Sequence, residues 1–327
     1  MKYKKKAALL SVLVAALAIA NILTYVFDPA KQRSASFAWL DSSLVPAADR
    51  IEIRRSANLT PGGAVDSKGG EKIVLLRKNN RWIFQGENSD LPVKQARVED
   101  LLAALSRRAL YPKRAASSEA RALLALEEER SSRIVIGGGS GLPLLDLLIG
   151  SSDALGKEVY FRKAGQNEIY SGEDLFTVYT ESTAKSWYDL KLFSLEAGDI
   201  SIDAVQQAEI SLSGEDAGIR SFMLRRQRGG WAIPGDENTV LDSQKIDAWL
   251  RTVLEAEAED FGTTAPVKFE KTILLYLGNG STRSIKAGVF DGKKLAAMVS
   301  GSNLVYILPE WASIRLFREA PYFSKAE

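Results

Sequence analysis

Apolar residues occur in two patterns along this chain. From Ala7 to Phe27 they form a run with no charged residue, closed by Asp28 and preceded by Lys2, Lys4, Lys5 and Lys6. At about 1.5 Å rise per residue, a helix over this run spans roughly 30 Å, the thickness of a bilayer core. The pattern predicts a single transmembrane helix within residues 1–28. The basic tip keeps the N-terminus in the cytoplasm and places the remainder outside. A cleaved signal peptide is the rival reading, because Ala18-Ile19-Ala20 is a small-x-small cleavage pattern. The continuation of the run through Asn21–Phe27 and the position of Tyr25 near its outer end favour an anchor.

Beyond a linker, residues 29–48, the apolar positions form short periodic runs that repeat. Ile73–Lys78 leads through a polar turn to Trp82, and Phe222–Gln227 leads through one to Trp231. Gly86-Glu87 and Gly235-Asp236 follow, then a predicted helix in each copy. In the first helix, Val93 to Arg107, the residues Val98, Leu101, Leu102 and Leu105 recur at helical spacing. In the second, Ser243 to Glu257, Ile246, Trp249, Leu250 and Val253 do so, with Asp242 placed to cap the start.

The parallel extends in both directions. Arg50–Ile53 matches Gln207–Ile210, and Arg133–Ile136 matches Lys271–Leu275. Strands ending at Gly150 and Gly288 correspond, as do Gly156-Lys157 and Gly292-Lys293. Last come Gly165–Tyr170 and Gly301–Tyr306. This ordered series predicts two duplicated units, 49–196 and 206–324, each of antiparallel sheet with covering helices. The fold class is therefore α+β behind an N-terminal transmembrane helix.

Composition changes the picture chiefly by exclusion. The chain has 327 residues, 46% hydrophobic and 26% charged, as expected of a folded body. Its net charge of +2 is misleading: four of its 43 basic residues lie in the tip, leaving 39 against 41 acidic ones. A body so balanced is not expected to bind nucleic acid. There is no Cys and no His. Disulfides, thiolate nucleophiles and a Ser-His-Asp triad are thereby excluded. An enzyme would have to use carboxylates, Lys, Tyr or Ser-Lys chemistry.

Several motifs invite a chemical reading and have a structural one. Gly137–Gly141 lacks the Gly-Lys-Ser/Thr of a phosphate loop, and Gly278-Asn279-Gly280 stands at the matching place, so a hairpin turn explains both. Trp82 and Trp231 suggest an aromatic binding pair, but duplicated Trp facing a helix is expected in a core. Glu127–Glu129, and Glu255, Glu257, Glu259 and Asp260, lack calcium-loop spacing and read as solvated faces. Asn58-Leu59-Thr60 matches a glycosylation acceptor, a pattern common by chance. Ser186–Phe193 has no counterpart in the second copy and reads as packing near the junction or as a docking segment. No catalytic, cofactor-binding or metal-binding residue is assigned, and no cofactor is expected.

These landmarks together resemble the DUF4340 family. The resemblance rests on the N-terminal apolar span, Ile51–Ile53, the strand-turn segment ending at Trp82, the helix Val98–Arg107 and the strand into Gly150. The hairpin near Tyr170 and the Asp189–Phe193 element complete it. The family pattern often carries Phe/Tyr-Gly-Leu where this chain has Leu124-Ala125-Leu126. The resemblance implies no catalytic residues. It implies association with ABC-transporter permease, ATPase and gliding-motility-type auxiliary proteins.

The expected role is thus a non-enzymatic, membrane-anchored accessory or scaffold of an ABC-transport-type complex. It would sit in the bacterial inner membrane with its body periplasmic or otherwise extracytoplasmic. The expected partners are the lipid bilayer and a permease or auxiliary subunit. A glycan- or peptide-binding module and a carboxylate-based hydrolase are the alternatives.

Overall fold

The computed structural model describes residues 34–56, 72–86, 89–139, 141–193, 200–214, 218–236, 239–292 and 294–325, together with position 17. Apart from position 17, the expected transmembrane helix lies outside the described residues, as does the Asn58–Thr60 acceptor. No helix among the described residues is long and apolar enough to cross a membrane. The chain divides into two compact units, Met1–Trp187 and Tyr188–Glu327.

The first unit is a ten-stranded antiparallel sheet. Its strands are β1 (Ser34–Phe37), β2 (Ala48–Arg54), β3 (Lys72–Lys78), β4 (Arg81–Gln85), β5 (Asp90–Pro92), β6 (Ala109–Ala115), β7 (Ser132–Gly138), β8 (Pro143–Ser152), β9 (Glu158–Lys163) and β10 (Ile169–Glu173). Helix α1 (Gln95–Ser106) follows β5, α2 (Ser118–Leu123) follows β6, and the one-turn α3 (Thr177–Thr180) follows β10. The spatial order is β1-β6-β10-β9-β8-β7-β2-β3-β4-β5.

The second unit is an eight-stranded antiparallel sheet. It comprises β11 (Val205–Gly214), β12 (Gly218–Gln227), β13 (Gly230–Ala232), β14 (Asp260–Gly262), β15 (Lys271–Leu277), β16 (Thr282–Asp291), β17 (Lys294–Val299) and β18 (Val305–Leu308). Helix α4 (Ser243–Leu254) follows β13, and α5 (Glu310–Leu316) follows β18. The order β13-β12-β11-β15-β16-β17-β18-β14 repeats that of the first sheet from β4 to β6, strand for strand. Among the described residues the first unit adds only β1 and β5, at its edges. The repeat extends to detail: the ladder between β2 and β7 shifts register between Ala48 and Arg50, and that between β11 and β15 between Val205 and Gln207.

The helices bury the positions their periodicity marks. Val98, Leu101, Leu102 and Leu105 of α1 are buried, as are Ile246, Trp249, Leu250 and Val253 of α4. Each such side chain contributes roughly 1.5–3 kcal/mol on leaving water. Asp242 caps α4, its Oδ1 accepting from Gln244 N and Lys245 N at 3.0 and 3.3 Å. Trp82 and Trp231 are core residues, 6% and 8% exposed. Gln95, which opens α1, accepts from the Trp82 backbone N–H and donates to its carbonyl, both at 2.9 Å. Trp231 Nε1 donates to Asp247 of α4 at 3.3 Å.

Two boundaries differ from those expected. The stretch 29–48 is not a linker from residue 34 onward. Trp39 and Leu40 are buried, and Phe37, Trp39 and Tyr111 pack ring against ring at 4.9–5.1 Å. Short strands and lone aromatics in a polar setting carry no periodic signal, which is why this segment reads as a linker. The unit division falls at Trp187 and Tyr188, so Asp189–Phe193 belongs to the second unit. There Leu192 N donates to Ala256 O at 2.9 Å and Ala258 N to Leu190 O at 2.8 Å. Trp187, by contrast, is buried in the first unit, its carbonyl accepting from Lys94 N at 2.9 Å.

The position where the family pattern often carries Gly has a conformational explanation. Ala125 follows α2 with φ of 53°, the left-handed region. Leu126 N then reaches back to Arg121 O at 2.8 Å, closing the helix as a glycine would. A Cβ costs roughly 1–2 kcal/mol there, less the entropy glycine loses on folding. Ala125→Gly is therefore expected to stabilise the chain by about 0.5–1 kcal/mol. A raised urea midpoint at unchanged slope is the readout, and an unchanged or lowered midpoint contradicts the account.

Candidate functional site

Alternation along β2 and β7 sends Ile51, Ile53, Ile134 and Ile136 into the core. The intervening Arg50, Glu52, Arg54, Arg133 and Val135 are left on the opposite face. Glu52 stands across from Val135, and Val135 from Asp146 of β8. This outer face of the first sheet carries the densest ionic network among the described residues. Glu52 accepts from Arg50 at 2.6 Å and from Lys72 at 2.7 Å. Arg133 grips Asp146 with both arms, at 2.7 and 2.5 Å, and reaches Glu128 at 3.3 Å. Arg54 donates to the Glu128 carbonyl. Between them lies a cavity of about 410 Å³ lined by Glu52, Arg54, Lys72, Arg133, Val135 and Asp146.

The electrostatics of this face are compensated. Burial pushes the Glu52 carboxyl up, but hydrogen bonds and charge from Lys72 and Arg50 outweigh it and hold the group below its ordinary value. The Asp146 hydrogen bond raises Arg133 further against a smaller opposing effect of burial. A general acid needs a raised carboxyl pKa. The carboxyls that shift clearly among the described residues, Asp41, Glu52, Glu119, Asp153 and Glu168, all shift down. Because Glu52 is lowered in the folded state, its contribution to stability is present above its ordinary value of about 4.5 and is lost as pH falls through the folded value. Wild-type stability should thus fall more steeply below pH 4.5 than that of Glu52→Gln, as urea midpoints across an acid series would show. Parallel curves would contradict this.

A second cavity of about 460 Å³ includes Glu128, whose carboxylate pairs with Arg133 of the first. It is lined by Ser118, Arg121, Glu127, Glu128, Glu129, Arg162, Gly165 and Asn167. Its lining includes Arg162, 5% exposed and, among the described residues, without a carboxylate in ion-pair reach. Carbonyls take the place of a counter-ion: Leu126 O accepts from Nε and Nη2 at 3.2 and 2.9 Å, and Gln166 O from Nη1 at 2.8 Å. Burial, and then the neighbouring Arg121, push the Arg162 guanidinium down. Sequence reasoning missed Arg162, because a lone Arg in a strand carries no signal of burial.

In the second unit a cavity of about 730 Å³ lies at the start of α4, with Trp231, Asp242, Ser243, Gln244 and Lys325 in its wall. Among the described residues, serine–lysine chemistry has a geometric counterpart in one pair. Lys271 Nζ lies 2.8 Å from Ser313 Oγ, and burial pushes this lysine down. The pair ties α5 to β15 and lines none of the three cavities.

The tempting motifs take their structural places. Gly137 and Gly138 end β7, and Gly141 stands ahead of β8 with φ 77°. Glu127 faces Arg130 at 3.9 Å, and Glu259 pairs with Lys294 at 3.0 Å. Among the described residues no group of three Asp or Glu is placed to hold a metal.

Comparison with known protein families gives a match. The model of a family described as "Domain of unknown function (DUF4340)" matches residues 82–275. No curated protein and no solved structure matches the chain significantly. The matched stretch begins at Trp82, takes in α1 and the meander of the first unit, and ends in β15 of the second. It covers more than half of the sequence, and the chain belongs to the DUF4340 family.

Proposed function

We propose that this protein is a membrane-anchored, extracytoplasmic accessory or scaffold subunit of an ABC-transport-type envelope complex, and that it acts by binding. The observation that carries the binding role is the compensated outer face of the first sheet. Its carboxylates are paired with Arg and Lys partners, so the face offers fixed charges for recognition. The uncharged run Ala7–Phe27 behind a basic tip supports the anchor. The ABC-transport setting comes from what the family resemblance implies. A glycan-binding pair built from Trp82 and Trp231 loses its basis, since both rings are core residues.

The test is crosslinking and affinity purification of the tagged full chain from native membranes. An ABC-type permease or auxiliary subunit should be recovered, and Arg133→Glu, which breaks the Asp146 and Glu128 pairs, should reduce that recovery several-fold. Recovery of no transport component overturns the proposal. So does hydrolysis by the purified protein that is abolished by changing one carboxylate.

A further inference from the structure

The two copies of the fold differ at one edge. In the first unit β4 pairs with β3 along Leu75–Lys78, and β5 closes the outside of β4. In the second unit β12 is longer, while its outer neighbour β13 covers only Arg225–Gln227. No counterpart of β5 follows among the described residues. Residues 218–224 of β12 therefore pair with β11 alone among the described residues.

Register tells which backbone groups are left over. A two-residue loop, Arg228-Gly229, joins β12 to β13, so the flanking pair Gln227 and Gly230 exchanges its backbone hydrogen bonds. Alternation then turns the N–H and C=O of Arg225, Met223, Ser221 and Ile219 to the same side, and those of the even-numbered residues to β11. Neither ladder of β12 shifts register, so the parity holds along the strand. Ile219, Ser221 and Met223 thus present three donors and three acceptors at an open edge. Such an edge is a template for another strand.

The side chains beside this edge select the occupant. Ser221, Arg225 and Arg228 are exposed. Arg225 reaches only Met223 Sδ, at 3.9 Å, and neither Arg225 nor Arg228 has a carboxylate partner among the described residues. Arg220 meets Glu319 at a loose 3.7 Å, with both side chains mostly exposed. A second copy of β12 would bring this basic strand against itself, where like charges repel. An acidic strand gains both the backbone ladder and the ion pairs.

We propose that the β12 edge of the second unit, centred on Ser221, receives an extended acidic segment of a partner protein by strand addition. This rests on strand pairing and charge alone, and holds whether or not the partner is a transporter subunit.

The test uses the full chain in detergent micelles and a synthetic nine-residue peptide alternating valine and glutamate, with a valine–lysine peptide as control. Amide exchange over residues 218–224 should slow at least tenfold with the glutamate peptide and remain unchanged with the lysine peptide. Ser221→Pro removes an outward N–H that β11 does not use, so the variant should fold and lose this protection. Arg225→Glu with Arg228→Glu, a surface change that leaves the ladder intact, should reverse the peptide preference. The proposal is overturned by absent protection or by equal protection from both peptides. It is also overturned by protection that grows with protein concentration alone, which would assign the edge to a second copy.

Discussion

Gly288→Ala is expected to destabilise the second unit by about 3 kcal/mol or more, the upper range for forcing atoms into a packed site. Gly288 lies in β16 beneath the chain segment that leads into β15. A Cβ built there would fall directly on the Lys268 carbonyl oxygen and within 3.0 Å of Pro266 Cβ. The oxygen is backbone, and the next residues are fixed: Glu270 N donates to Ala287 O at 2.9 Å, and Glu270 O accepts from Ser213 N at 2.8 Å. Either a ladder or the crossing segment must give way. Gly150 stands at the corresponding point of the first unit, under the Leu124 carbonyl, where Ser151 N donates to Leu124 O at 2.9 Å. Gly150→Ala should behave alike. Gly139, with nothing within 4 Å of its would-be Cβ, is the control, and Gly139→Ala should stay within about 0.5 kcal/mol. Denaturant midpoints decide the matter. Equal, small effects at all three positions would contradict the packing described.

Arg162→Ala should cost about 3 kcal/mol, since it strands two buried carbonyls that accept from a charged donor. The Leu126 and Gln166 carbonyls receive three hydrogen bonds from this one guanidinium. Arg162→Lys should recover only part of the loss, because one ammonium cannot reproduce a planar fork aimed at two separated oxygens. Arg162→Met tests the sign of the charge itself. A buried cation without a counter-ion is costly to desolvate, so Met restores packing yet leaves the carbonyls unpaired. It should fall between wild type and Ala. A Met variant as stable as wild type would mean that water replaces the guanidinium.

These glycines and this arginine mark where the sequence could be read and where it could not. The duplication was legible because its landmarks do structural work twice. Gly150 and Gly288 pass under a crossing chain, Trp82 and Trp231 are core residues beside a helix, and the helix positions at three- and four-residue spacing are those buried. The strands β6 and β14 were not legible. Each pairs with the last strand of its meander, far from it in sequence, and non-local pairing leaves no local period. The network around Glu52 and Arg133 was equally hidden, since its cross-strand partners, such as Arg133 with Asp146 and Glu52 with Lys72, are not neighbours in sequence and alternate polar positions read only as an exposed face. Arg162 is polar in sequence and buried in space for the same reason. The open edge of β12 needed register, which follows from pairing and turn length rather than composition.

The central claim is that the body works by being held at a membrane beside a partner. The most direct measurement compares crosslinked partner recovery from cells carrying three forms: the full chain, the chain with Ala7–Phe27 replaced by an unrelated apolar span of equal length, and residues 30–327 without a span. Tethering raises the effective concentration of a weak interface, by as much as 10²–10⁴-fold over a free module. The account predicts equal recovery for the first two forms and at least tenfold less for the third, with all three folded and equally abundant. Full recovery by the detached body, or loss of recovery on swapping the span, would contradict it.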